Sequence, residues 1–325
     1  AASDVYKRQI MRFLIIIFFI LSNVLNAQQH TNYTQFFNNE ILYNPATAGS
    51  KPYNPLALQT RQQWLGFEGA PFSTSISYHK LINESSAFGG VFNFENTTPS
   101  QKVDLQPSYA FHVPLNSNKT FLSFGIAPAL MYYSVNFELE DMPTNQDPAF
   151  SESTYSSLSF DIGSGVYMYN DKLSLGFSVV NMLQSSFDGE VLVQSNQSFG
   201  KTSFGENLRE RIFFTSLSYD FDIINNDWSF QPFLLLRNFE NKTQILDLFT
   251  RIKYLKNNWA GFGYRSEGVM SFSFGFNSDK LHFGYSFDFA TSSNVMNNNY
   301  GTHELMISYH IPAFQHNRHT NFWIF

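Results

Sequence analysis

Two consecutive runs decide the fold: Met270-Ser271-Phe272-Ser273-Phe274-Gly275-Phe276 and Leu281-His282-Phe283-Gly284-Tyr285-Ser286-Phe287-Asp288-Phe289. Large apolar residues alternate strictly with small or polar ones, and a period of two marks a β-strand whose faces meet different surroundings. The flanking segments Trp259–Arg265 and His303–Ile311 follow the same rule. A soluble sandwich buries its apolar face and wets the polar one. A membrane barrel turns the apolar face to lipid and lines its lumen with the small, polar one.

Composition favours lipid. Aromatic residues make up 18% of the chain, with 37 Phe and 17 Tyr, and charged residues only 14%, against about 25% in ordinary soluble domains. Mean hydropathy is nonetheless slightly negative, as expected when half of every strand is polar. No Pro-rich, Ser/Gly-rich or charged linker divides the 325 residues, so a single domain is expected. A net charge of -6 with scattered basic residues argues against nucleic acid as a partner. With Cys at 0, disulfide frameworks, thiolate metal sites and cysteine nucleophiles are excluded together.

The N-terminal region carries export signals. Met11-Arg12, the apolar run Phe13–Leu21 and the small residue Ala27 before Gln28 form a secretory signal peptide over residues 11–27, with cleavage expected after Ala27. Residues 1–10 fit no part of such a signal and are expected to be a non-native prefix. Residues 28–51, built around Asn44-Pro45-Ala46-Thr47-Ala48-Gly49, hold turn-forming Pro and Gly and predict a lead-in or plug ahead of the barrel.

Strand-like segments then follow one another over 52–311: Leu56–Trp64, Thr74–Lys80, Phe88–Phe94, Lys102–Val113, Thr120–Val135, Ser157–Tyr169, Leu173–Val180, Arg211–Ile223, Trp228–Arg237, Lys242–Tyr254 and the four already described. The expectation is an all-β transmembrane outer-membrane barrel of about 14 antiparallel strands, with a C-terminal tail over 312–325. Tight turns at Asn170-Asp171, Asn225-Asn226-Asp227, Asn257-Asn258 and Ser278-Asp279 alternate with long polar loops at Glu138–Thr154, Asn181–Glu210 and Ala290–Tyr300. Outer-membrane barrels arrange their periplasmic turns and extracellular loops in this way. Tyr132-Tyr133, Tyr167, Tyr169, Trp228 and Trp259 suit interfacial girdles.

Asp161, Asp220, Asp222, Arg237, Arg265, Asp288, His303 and Glu304 fall on or near the small, polar face and predict a network of charges inside the lumen, either structural or lining an ion path. No Gly-x-Ser-x-Gly elbow, phosphate-cradling glycine loop or His-Glu-x-x-His is present, so no catalytic residue is assigned and no enzyme is expected. His282, His303, His310, His316 and His319 lack ligand spacing, so neither a metal nor a cofactor is expected.

Asn44-Pro45-Ala46 with Gly49, then Arg61-Gln62-Gln63-Trp64-Leu65-Gly66 and Gly69-Ala70-Pro71, strongly resemble the start of the PorP/SprF family. Later stretches agree: Gly163-Ser164-Gly165, Leu173-Ser174-Leu175-Gly176 with Asn181, Gly263-Tyr264-Arg265-Ser266, Gly284-Tyr285-Ser286-Phe287-Asp288 and Gly301-Thr302-His303-Glu304. The resemblance covers essentially the mature chain. It implies an outer-membrane barrel of the type IX secretion and gliding-motility machinery. Such a barrel assists export or surface attachment of a large secreted protein, such as a gliding adhesin, by engaging its C-terminal sorting domain. Partners implied are that domain, other type IX components and outer-membrane lipid. Asn44, Pro45, Gly49, Gln63, Trp64, Pro71, Arg265, Asp288, His303 and Glu304 are the candidate partner or lumen residues. Gln63-Trp64 either plugs the lumen or contacts a partner, or else Trp64 is an interfacial anchor, and Asn44-Pro45 with Gly49 form either a recognised loop or a tight turn. A diffusion porin for small solutes and a soluble secreted β-protein are the competing readings.

Overall fold

A computed structural model describes residues 32–115, 120–136, 154–186, 190–195, 198–203, 209–224, 227–241, 243–255, 257–291 and 299–313. The expected signal peptide, the first ten residues and the tail beyond 313 lie outside them, as does the loop over 137–153.

Among the described residues seventeen strands run in chain order: β1 (Tyr53–Gln62), β2 (Phe72–Leu81), β3 (Ser86–Thr97), β4 (Ser100–Pro114), β5 (Phe121–Asn136), β6 (Thr154–Tyr169), β7 (Leu173–Val180), β8 (Glu190–Ser195), β9 (Ser198–Ser203), β10 (Ile212–Tyr219), β11 (Phe221–Ile224), β12 (Trp228–Phe239), β13 (Gln244–Tyr254), β14 (Asn258–Arg265), β15 (Val269–Asn277), β16 (Leu281–Ala290) and β17 (Thr302–Pro312). Neighbours pair antiparallel from β7 back to β1, across to β17 and down to β12, which pairs with β10, and β10 with β7, closing the ring. β10 and β11 both lie along β12 and form one strand interrupted at Asp220, so the wall is a closed barrel of 14 strands. Each of them overlaps a segment expected from period two. The hairpin β8–β9 stands apart from the barrel sheet, within the loop between β7 and β10, where the sequence gives no such expectation.

Connections alternate between the two ends. Short turns join β2–β3, β4–β5, β6–β7, β11–β12, β13–β14 and β15–β16 at one end, called here the turn end. The strand ends that flank the longer connections, between β1 and β2, β5 and β6, β7 and β10, and β16 and β17, all lie at the other, the loop end. At the turn end the hairpins use Asn and Asp chemistry. Asn170 Oδ1, for example, accepts from the main-chain N–H groups of Lys172 (2.9 Å) and Leu173 (2.8 Å).

The wall is inverted relative to a soluble protein. On β15, Phe272, Phe274 and Phe276 are exposed while Ser271 and Ser273 are buried; on β16, His282, Gly284, Ser286 and Asp288 are the buried ones. Leu58, Ile76, Phe92, Leu105, Phe124, Leu130, Phe160, Phe177, Leu248 and Ile307 continue the exposed apolar belt around the ring. Water would make such a continuous surface costly, whereas lipid accepts it.

The aromatic residues expected at the interface divide. Tyr132 and Trp228 do face outward, but Tyr167, Tyr169 and Trp259 are buried on the lumenal side. Their strand positions share parity with buried Asp161 and Arg265, and that parity, rather than nearness to a strand end, sets which face they occupy.

Candidate functional site

The lumen is filled by the chain's own N-terminal part. Residues 32–52 enter β1 at the turn end, and the segment reaches back to the loop end, where Thr34 and Gln35 meet Glu304. Helix among the described residues is confined to two 3-10 turns, Glu40–Leu42 and Pro45–Thr47, both in this segment. Three apolar clusters hold it. Phe36, Phe37 and Tyr43 pack with Ile212, Phe214, Phe233, Leu235, Ile245, Phe249 and Trp259. On the opposite wall Tyr33, Ile41, Leu42 and Ala48 pack with Ala87, Val91 and Ala110, and Ala46 packs with Phe121, Tyr167 and Tyr169. Each large side chain buried this way contributes on the order of 1.5–3 kcal/mol.

Asn44 begins the second turn. Its Oδ1 accepts from the Ala46 N–H (3.0 Å), as an N-cap does, and its Nδ2 donates to the Val166 carbonyl of β6 (3.2 Å). Pro45 occupies the first position of the turn, where its missing N–H is no loss. Gly49 has φ +74° and donates its N–H to His79 Nδ1 (3.0 Å); a Cβ there would lie 2.3 Å from that of Ala87. Wall glycines make the room. A Cβ on Gly125 would sit 2.2 Å from the Ala46 nitrogen, on Gly165 2.1 Å from Asn44 Oδ1, and on Gly284 2.0 Å from Gln35 Oε1. Stretches far apart in the chain, including those around Asn44, Gly165 and Gly284 that carry the resemblance, therefore meet on one lumenal segment.

Charges gather at its loop end. Arg61 Nη1 lies 2.7 Å from Asp288 and 3.1 Å from Glu304, and Glu304 also accepts from the main-chain N–H groups of Thr34 (2.7 Å) and Gln35 (2.8 Å) and from Gln59 Nε2 (2.9 Å). Alongside, Asp247 accepts from Arg265 Nε (2.6 Å) and pairs with Arg237. Three guanidinium groups (Arg61, Arg237, Arg265) face three carboxylates (Asp247, Asp288, Glu304), so the buried cluster is neutral. Nearer the turn end, Arg251 lies 5.0 Å from the Phe37 ring, 5.2 Å from Phe233 and 5.5 Å from Trp259, and donates to Asn38 Oδ1 (2.8 Å) and Gln231 Oε1 (2.7 Å).

Arg265, Asp288 and Glu304 thus come together, as does Arg237. His303 does not: it lies one position from Glu304, on the outward face, where Nδ1 meets Tyr285 Oη at 2.6 Å. A one-residue step reverses the side of a strand. Asp161 is lumenal but accepts from the Leu183 N–H (3.0 Å) of the loop after β7. Asp220 pairs with Lys253 and Asp222 with Lys172 (2.8 Å) near the turn end, away from the cluster. Gln63, Trp64 and Pro71 lie in the loop after β1 rather than on it. Gln63 N–H donates to the Pro71 carbonyl (2.9 Å), and Trp64, at φ +48°, donates its N–H to Thr302 Oγ1 (3.2 Å). Thr34, Gln35, Asp247 and Arg251 escaped sequence reasoning. Period two in β13 could have found the last two; nothing local marks the first two.

Beside the lumenal segment, at the loop end, lies a cavity of about 250 Å³. Tyr33, Phe36, Leu42 and Tyr43 form one side, and Asp104, Met131, Arg209, Ile212 and Leu235 are among the residues opposite. Burial draws the pKa of Arg209 down, with Asp104 opposing.

A closed antiparallel barrel with an apolar outer belt and a polar lumen occupied by its own chain is an outer-membrane barrel protein. Solved structures agree on the fold. The CymD monoaromatic hydrocarbon channel matches with a TM-score of 0.52 at 12% identity, over 85% of this chain and 92% of its own. The Ralstonia pickettii toluene transporter TbuX matches with a TM-score of 0.50 at 9% identity, over 84% and 93%. No curated protein matches the chain in sequence. The family model for the type IX secretion system membrane protein PorP/SprF matches residues 25–309. The chain belongs to that family, a family of secretion-associated membrane barrels rather than of enzymes.

Proposed function

We propose that this barrel assists the export or surface anchoring of one large secreted protein, of the gliding-adhesin type, by binding its C-terminal sorting domain alongside other type IX components. Family membership supports the system. The observation that carries the role is the occupied lumen: apolar clusters and hydrogen bonds on nearly every side hold residues 32–52 against the wall, which leaves the surfaces to work. The loop end, with its long connections and its cavity, is then the docking face, directed outward from the cell. Export by a signal peptide cleaved after Ala27 delivers the chain, and lipid covers the outer belt. A diffusion porin, by contrast, needs a free path along the lumen.

The test is a pull-down of tagged, detergent-solubilised protein from its native outer membrane, read by mass spectrometry, in parallel with the surface proteome of a deletion strain. One very large secreted protein should be recovered through its sorting domain, and the same protein should vanish from the deletion strain's surface with its transcript unchanged. An unaltered surface proteome, with the barrel recovered alone, would overturn the reading.

A further inference from the structure

The loop-end cavity carries a feature that neither the fold nor the charge cluster uses. Arg209 is 5% exposed, and its Nη1 has no hydrogen-bond partner among the described residues. Facing it, Asp104 Oδ1 is likewise unpartnered, while Oδ2 accepts from Gln106 Nε2. Arg209 Nη2 and Asp104 Oδ1 stand 4.0 Å apart, too far for a hydrogen bond. The two charges attract across this gap, yet a buried donor atom and a buried acceptor atom are both left without a hydrogen bond at one wall of the cavity, an unfavourable state until something bridges them.

The rest of the lining defines what could answer. Phe36, Leu42, Met131, Ile212 and Leu235 supply apolar surface on one part of the wall, Asn93, Glu95, Lys102 and Gln106 lie beside Asp104 on another, and the cavity of about 250 Å³ has room for one large side chain and its adjoining main chain. A carboxylate ligand would suit Arg209 and be repelled by Asp104; an ammonium would do the reverse. A pure hydrocarbon would fill the space and leave both groups unmet. A neutral amide has the complementary pair, a carbonyl oxygen for Arg209 and an N–H for Asp104.

We propose that this cavity is a peptide-binding site, in which an apolar side chain of a partner protein enters from the loop end and its main-chain amide is held between Arg209 and Asp104. The site gives the proposed docking face a specific anchor and rests on that reading for its partner. The chemistry can be tested without any secretion readout, so the two can fail separately.

The probe is N-acetyl-phenylalanine methylamide, with toluene as the same ring lacking the amides, added to the full-length barrel in nanodiscs and read by calorimetry and saturation-transfer difference spectra. Saturable binding of the amide, at least about tenfold tighter than toluene, is expected, since each hydrogen bond to a charged group is worth on the order of 1.5–3 kcal/mol. Arg209→Leu should weaken it by about tenfold or more. Met131→Trp, which keeps the polar pair but fills the cavity, should abolish it and provides a second test should Arg209→Leu fail to fold. Amide binding no tighter than toluene, no saturable binding to the folded barrel, or binding that survives Met131→Trp would each overturn the assignment.

Discussion

The two faces of the same strands ask different things of their residues. On β15, Phe272, Phe274 and Phe276 look outward and touch only other outward rings on the adjacent strands, such as Phe262, Tyr285 and Phe283; there they need be little more than apolar. On the facing side of β16, Gly284 lies against Gln35, and Asp288 holds Arg61 and Thr34 Oγ1 (2.6 Å). Alternation therefore encodes two kinds of information in one strand: transfer energy on odd positions and geometric fit on even ones in β16. The outer face tolerates exchange by class, the inner face only by shape and charge.

The largest effect should come from breaking the inner face at its charges. Glu304→Ala leaves the Arg61 guanidinium short of a partner and strips the main-chain N–H groups of Thr34 and Gln35 of their acceptor. A loss of about 3–5 kcal/mol is expected, measured as a shift in the guanidinium unfolding midpoint in lipid vesicles. Next comes Phe274→Arg on the outer face. In lipid it should cost about 2–4 kcal/mol, whereas in a soluble β-protein an exposed Arg would be harmless, so an unchanged midpoint would undo the lipid-facing assignment. Asn44→Ala removes one cap bond and one tie to β6, and about 1 kcal/mol should be lost, with faster proteolysis of residues 32–52 as a second readout. Phe274→Leu should be the mildest, below about 1.5 kcal/mol. A large cost there would mean that the outer face, too, is fitted to something.

The wall was legible and its contents were not, for a physical reason. All 14 barrel strands overlap period-two segments because each strand carries its own two-faced pattern locally. Four of the six turn-end connections announced themselves through Asn, Asp and Ser; those after β2 and β4 did not. The lumenal contacts join positions as far apart as Thr34 and Glu304, 270 residues along the chain, and no local period records such a meeting. Arg265, Asp288 and Glu304 could be assigned to the polar face by parity, but Asp247 as the partner of two arginines could not. His303, Tyr167, Tyr169 and Trp259 show the limit of arguing from residue type: a His beside a Glu, or a Tyr near a strand end, takes whichever face its parity dictates. Arg209, set in a long polar loop, had no pattern at all to mark it.

The lumenal segment decides whether this barrel is a scaffold or a channel, and single-channel conductance in a planar bilayer tests that most directly. The intact protein should give a closed trace, and a variant lacking residues 32–52 should open steady currents. Steady conductance from the intact, folded protein would contradict the occupied lumen and restore the porin reading.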